Sequence, residues 1–403
     1  MLLPKSKDDG KLLNELEGKR GIFPLDIALG IDKLPHNMTV KAMLKVSKCA
    51  QAASSYKNAS KTLADDHGIK LDPATIMTVT NHIGGLVFKN EMANAEECYN
   101  SLVTGKMTFP QRKKDAVLYI EMDGAFVNTR EKSETANSTW HENKLGLVFS
   151  SESKHPIQSR AKKDSNLNTQ NIYERKKYKL MQKNYTAYVG SVDEFKKLMF
   201  YCAVRSGYGS YKETVLISDG ATWIRNLKEF LFWDAQQILD YYHLSEKVWA
   251  FGRQYFKITT SNNNYKKYND LEKEIINHPN YSEYKVWGDK ICDKILNSRI
   301  DEVFTDISNK EQHLNAKNGK LSKYILNNKE SIDYALYIKK GYDIGSGAIE
   351  SANKNVLQKR LDGPGMRWYI ESAQNLVTLR AKMESDRWYD DVVTVVNKFY
   401  NIN

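Results

Sequence analysis

An α/β fold, a mixed five-stranded sheet covered by helices, is predicted by three features of the 403-residue chain. Apolar periodicity changes from helical to strand-like at about residue 116. From there the segments run three strands, helix, strand, helix, strand. The first and fourth strand cores end in Asp-Gly pairs, at Asp123 and Asp219.

Taken in order, residues 41–103 read as helices. AMLKVSKCAQAASSY repeats at helical spacing. KNASKTLADDHG follows, with Gly68 as its stop signal. Asp72 and Pro73 then serve as N-cap and first-turn proline for ATIMTVTNHIGGLV. Helix, short turn, helix suits a helix-turn-helix reader of DNA, and equally an ordinary small helical bundle. AVLYIEMDGAF, KLGLVFSS (144–151) and YTAYVGS (185–191) are the first three strands. A helix, SVDEFKKLMFYCAVRSG, starts at Ser191 and stops at Gly207. TVLISDG is the fourth strand, ATWIRNLKEFLF a helix and AQQILDYYH the fifth strand. Residues 244–340 are helical, polar and charged. GSGAIESANK then begins a helix that carries Glu350, and helix continues to the end.

Three consecutive strands form an antiparallel meander. Strands that alternate with helices add parallel partners through right-handed crossovers. This is the layout of an RNase H-like fold, with a large all-α insertion before its last helix and an α-helical N-terminal region. The expected boundaries are an N-terminal segment at 1–40, a helical domain at 41–110 and a first part of the catalytic core at 111–243. The insertion then covers 244–340, and 341–403 holds the last core helix and C-terminal helices.

Composition narrows the class. Lys plus Arg number 60 against 49 acidic residues, a net charge of +11, which suits a polyanionic partner. No window of 18 apolar residues offers a membrane span. The beginning, MLLPKSKDDGKLL, lacks the apolar stretch of a secretory leader. Four cysteines, with no CxxC pair, indicate neither a disulfide framework nor a thiolate zinc site. A cytoplasmic location follows as the expectation. Residues 154–183 carry nine Lys or Arg against two acidic residues. That run is either a solvated linker or an electrostatic arm for phosphates.

The acids carry the chemistry. One Asp-Gly is a common turn. Two of them, at the ends of neighbouring first and fourth strands, bring carboxylates together, with Gly124 and Gly220 expected to leave room for substrate backbone. Glu350 adds a third acid from a helix across the same edge. The spacings are 219 − 123 = 96 and 350 − 219 = 131, the second filled by the insertion. Phosphodiester cleavage benefits from two divalent ions about 3.5–4 Å apart, and carboxylates are the hard oxygen ligands that Mg²⁺ prefers. Lys354, Lys359 and Arg360, on the Glu350 helix, are candidate phosphate contacts or members of a solvated basic face.

The segment IGSGAIESANKNVLQKRLDGPGMRWYIESAQNLVTLRA, followed by SDRW, closely resembles the C-terminal signature of bacterial insertion-sequence transposases of the ISKra type. YIEMDGAF, WHENKLGLVFSS, LISDGATWI and ILDYYHLSEKVW match that pattern in order. The ISLre-type group is the nearest competitor. The resemblance spans roughly residues 20–395. It implies a DDE transposase in which Asp123, Asp219 and Glu350 are the catalytic triad and the metal ligands. Two Mg²⁺ ions, replaceable by Mn²⁺, would serve DNA nicking at the transposon ends. Attack of the freed 3′ hydroxyl on target DNA would follow, with no covalent enzyme intermediate. Asp240 and His243, in DYYH, resemble a supporting Asp/Cys-x-x-His element; a structural hydrogen-bonded pair accounts for them equally. Arg367 and Trp368 are DNA-contact candidates, whereas Trp223 reads as core. The implied partners are terminal-repeat and target DNA, with a homo-oligomer assembled on DNA in the bacterial nucleoid.

Two alternatives stand beside this one. An RNase H-like nuclease would cleave without strand transfer. A shortened copy would bind terminal repeats and repress transposition. The latter draws on a cysteine-bearing segment that longer relatives carry ahead of GKRGIFPLDIALG and that is missing here.

Overall fold

The computed structural model describes residues 27, 30–132, 138–157, 178–259, 273–314 and 320–402. The chain divides into two compact units, Met1–Val87 with Tyr389–Asn403, and Phe88–Trp388.

The first unit is helical. Helix α1 (Val40–Ala52) is capped by the Thr39 side chain, which accepts a hydrogen bond from the Ala42 N–H. Ser55 caps α2 (Tyr56–His67) in the same way, and Gly68 ends it in the left-handed conformation that favours glycine, at φ 65°. Asp72 Oδ1 accepts from the N–H groups of Ala74 and Thr75, both at 2.9 Å, at the start of α3 (Pro73–Val103). Within this unit His82 Nε2 lies 2.5 Å from the Tyr400 hydroxyl.

The second unit holds the sheet. Its strands are β1 (Lys114–Asn128), β2 (Trp140–Ser150), β5 (Asn184–Val189), β6 (Tyr211–Ser218) and β7 (Gln236–Leu239), in the order β5-β2-β1-β6-β7. The short strands β3 (Lys154–Pro156) and β4 (Tyr178–Leu180) form a separate antiparallel ribbon. In the sheet, β1–β2 and β2–β5 are antiparallel; β1–β6 and β6–β7 are parallel. A three-strand meander extended by two parallel crossovers is the RNase H-like arrangement expected from the segment order.

The sheet separates two layers. On one face Leu118, Ile120 and Met122 of β1 and Leu216 of β6 pack against helices α4 (Val192–Arg205) and α5 (Thr222–Leu231). Phe195, Met199, Phe200, Ile224, Leu227 and Leu231 supply the helical side of that core. Alternation along β1 sends Tyr119, Glu121 and Asp123 to the other face. Helix α6 (Tyr241–Tyr255) follows β7, and α7 (Tyr281–Leu296), α8 (Ile300–Glu311), α9 (Leu321–Asn327) and α10 (Tyr334–Lys339) complete the helical insertion. The insertion is tied to the sheet by tyrosines. Tyr324 donates to the Asp219 carbonyl at 2.6 Å, and Tyr334 donates to the Leu239 carbonyl at 2.8 Å.

The Glu350-bearing helix starts as α11 (Gly347–Ala352), widens to a π-helical segment at Asn353–Gln358 and ends with a turn at Lys359–Leu361. Helix α12 (Ile370–Glu384) covers the edge strand β5. Gln374 reproduces a strand's pairing there: its Oε1 accepts from the Val189 N–H and its Nε2 donates to the Ala187 carbonyl. That satisfies a sheet edge that would otherwise be open to another chain.

Of the basic run at 154–183, residues 158–177 lie outside the described residues, as does most of the N-terminal segment at 1–40. Lys154, at the start of the run, is bound internally, 2.6 Å from Asp343 Oδ2. No helix of the described residues is long and apolar enough to cross a membrane.

Candidate active site

The ladder between β1 and β6 runs to Glu121 opposite Ile217. The offset there, 217 − 121 = 96, equals 219 − 123 = 96. Asp123 and Asp219 therefore stand level, two residues past the last paired residues. Asp123 is still inside β1, held by pairing with Leu145 of β2. Asp219 lies just past the end of β6.

Each aspartate is oriented by its neighbours. Asp123 Oδ1 accepts from the Gly124 N–H at 2.8 Å, and Oδ2 accepts from Asn353 Nδ2. Asp219 Oδ1 accepts from the Ala221 N–H at 2.9 Å. Between them Gly220 takes φ 82°, and a Cβ there would come within 2.9 Å of both Asn328 and Leu239. The residue must be glycine for the turn and for the packing.

Glu350 is exposed, in the first turn of α11. Two buried acids anchor that turn. Glu121 Oε2 accepts from the Ile349 N–H at 2.8 Å. Asp240, 1% exposed, uses Oδ2 for the Ser346 N–H at 2.8 Å and for the Ser346 hydroxyl. Its Oδ1 caps α6 by accepting from the N–H groups of Tyr242 and His243. One carboxylate thus joins the end of β7, the start of α6 and the lead-in to Glu350. The Gly345–Ser346 turn needs glycine for contact: a Cβ on Gly345 would lie 2.5 Å from the Tyr242 ring.

The electrostatics link the three acids. Burial pushes the Asp123 carboxyl above its ordinary value. The Gly124 N–H bond opposes the shift, the charges of Asp219 and Glu350 add to it, and His243 counters them. Burial also raises Glu121 well above the ordinary carboxylate range, with the charges of Asp343 and Asp240 adding to the effect. Glu121 Oε1 and Asn353 Oδ1 are both buried without a hydrogen-bond partner.

The donor set has the chemistry of a hard divalent-cation site: oxygen ligands only, on three elements, with a mutual repulsion that a cation relieves. As they stand, no group of three or more His, Cys, Asp or Glu among the described residues is gathered closely enough to hold a metal ion. The donor chemistry fits; the spacing is not closed around an ion.

The remaining expected residues separate. Lys354, Lys359 and Arg367 are exposed. Arg360 and Trp368 are corrections. Arg360 is 1% exposed, its guanidinium 5.3 Å from the centre of the Trp368 ring. Trp368 is buried, donates from Nε1 to the Leu361 carbonyl, and forms an isolated parallel bridge with Thr129. Both serve packing at the end of β1, so neither offers a surface for DNA. Leu357 and Arg360 turn inward while Lys354 stays outside, as helical geometry allows, since six residues carry Arg360 about 120° round from Lys354. His243 belongs to the first turn of α6, past the strand end where it was expected, because the Asp240 side chain starts the helix. The room expected beside the glycines is also taken. The Glu142 carboxylate lies beside Gly124, and Asn328 and Leu239 lie beside Gly220.

Asn353 and Glu121 were missed. Alternation along YIEMDGAF places Glu121 on the face of Asp123, a signal that was available. Asn353 had none, since its reach to Asp123 depends on how α11 packs. A cavity of about 840 Å³, lined by Lys212, Arg225, Gln236 and Lys340 among others, runs along the beginnings of β6 and β7 and includes none of the three acids.

The family described as "Uncharacterised protein family (UPF0236)" matches residues 12–381. No curated protein matches the chain. Among solved structures, the Drosophila P element transposase strand transfer complex is similar at 11% identity and a TM-score of 0.36. The similarity covers 94% of this chain and 98% of that one. At that level the fold assignment rests on the strand order itself.

Proposed function

The chain belongs to the uncharacterised family UPF0236, and we propose that it is an insertion-sequence DNA transposase, of the ISKra type its motifs resemble, with Asp123, Asp219 and Glu350 as its DDE residues. One observation carries the reading: Asp123 on β1 and Asp219 just past the parallel β6 each follow the last paired residues by two positions, and the charge of Glu350 acts on Asp123.

Asp123, Asp219 and Glu350 would hold the divalent ions, Mg²⁺ or Mn²⁺. When bound, these supply activation of the attacking oxygen and stabilisation of the leaving one in an in-line displacement. The chain's own residues do the positioning. Asn353 and the Gly124 N–H fix the two oxygens of Asp123. The Ala221 N–H fixes Asp219. Glu121 and Asp240 set the turn from which Glu350 projects. Exposed Lys354, Lys359 and Arg367 supply positive charge for phosphates. The helices within 41–110 are assigned to recognition of the element's ends.

The test uses purified protein, Mg²⁺ and DNA carrying the terminal repeats. Cleavage and joining are expected, and Asp123→Asn should abolish both while the fold persists. Joining at the native rate by that variant would refute the assignment. Pre-cut ends with a free 3′ hydroxyl separate the alternatives, because a nuclease without strand transfer gives no joined product and a repressor gives no cleavage.

A further inference from the structure

The outer ends of β1 and β2 carry two large aromatic side chains that the reading above does not use. Phe126 is 64% exposed and Trp140 is 47% exposed. Phe126 pairs with Glu142 and Asn128 with Trp140, so the two residues are diagonal neighbours on one face of the hairpin, a placement whose backbone positions are typically about 7–8 Å apart. Isolated exposed aromatics are ordinary. Two of them side by side on a paired strand end form a rigid apolar step.

The surroundings are cationic. Arg130 is exposed, and its guanidinium lies 5.0 Å from the centre of the Tyr369 ring, itself 55% exposed. The Arg130 N–H donates to the Trp368 carbonyl at 2.8 Å, which brings Arg130 beside exposed Arg367. The nearby carboxylates are otherwise engaged. Glu131 accepts from the Ile370 N–H at the start of α12, and Glu142 pairs with Lys144. Aromatic faces interleaved with arginines are the composition of a single-strand nucleic-acid platform.

Position selects the ligand. Phe126 follows Asp123 by three residues, about 10 Å along the strand, and faces the opposite side of the hairpin. A base that reaches it has left the stack of a duplex lying at the acids. We propose that Phe126 and Trp140 form a stacking platform for one or two unpaired bases of a DNA strand, with Arg130 and Arg367 on the adjoining phosphates. This rests on the DNA reading above and adds to it a preference for frayed or single-stranded ends.

The experiment measures binding of the full chain to three labelled probes by fluorescence anisotropy: a blunt duplex, the same duplex with a three-nucleotide overhang, and the free single strand. The wild type should favour the overhang over the blunt end. Phe126→Ala and Trp140→Ala should each reduce that preference at least about fivefold, with blunt-duplex affinity and melting temperature unchanged, and Trp140→Phe should restore most of it. A preference that is absent in the wild type, or intact in the double alanine variant, overturns the proposal while leaving the transposase reading in place. So does an equal loss on all three probes, or a self-association that disappears in the variants without any change in DNA binding. A wild type that binds none of the probes defeats the DNA reading and the platform together.

Discussion

Asn353 and Glu121 show how much of a site is set by single side chains that hold its acids in place. Asn353 is 7% exposed and gives its amide N–H to Asp123. Partners of this kind commonly contribute a factor of about 10–100 in metal affinity or activity. Asn353→Ala is accordingly expected to raise the Mg²⁺ concentration for half-maximal cleavage by about that factor, read from a metal titration. Glu121 is a different case. Burial raises its folded-state value above the ordinary 4.5, so the folded protein resists its ionisation. The resulting loss of stability is absent below pH 4.5, where the group is protonated folded or unfolded, and it grows as the pH rises above that value. Glu121→Gln removes the titration. Its melting temperature relative to wild type, measured in chelator, should rise between pH 4.5 and pH 8; a constant difference would contradict the buried assignment.

At the scale of elements, Asp240 binds three of them at once. Asp240→Ala removes an N-cap and the bonds to Ser346, at a cost of about 2–3 kcal/mol by denaturant unfolding, and should also lower cleavage because the turn before Glu350 loses its anchor. The helix that follows sorts its cations by face. Arg360→Ala should destabilise the fold by about 2–4 kcal/mol, since it empties a packed site against Trp368. Lys354→Ala should leave stability unchanged and weaken DNA binding, reducing the salt dependence by about one charge. Lysine and arginine in the same short run therefore have different fates. The helical repeat decides which, since six residues carry Arg360 about 120° round from Lys354.

Across the whole molecule, a net charge of +11 implies that DNA affinity falls steeply with salt, and a plot of log affinity against log salt should have a slope of several units. A slope near zero would exclude a phosphate-dominated interface. The order of strands and helices was legible in the sequence because alternation along YIEMDGAF and TVLISDG is a local property, and so were the caps at Asp72 and Ser191. That the first and fourth strands lie side by side was legible too, since strand order follows from connectivity; their register was not. What the sequence could not determine was which side chains meet across separate elements: Asn353 on Asp123, Asp240 on Ser346, Arg360 under Trp368. Local pattern tells which face a residue occupies on a regular element. Which partner waits there is decided only when helix and sheet are packed against each other.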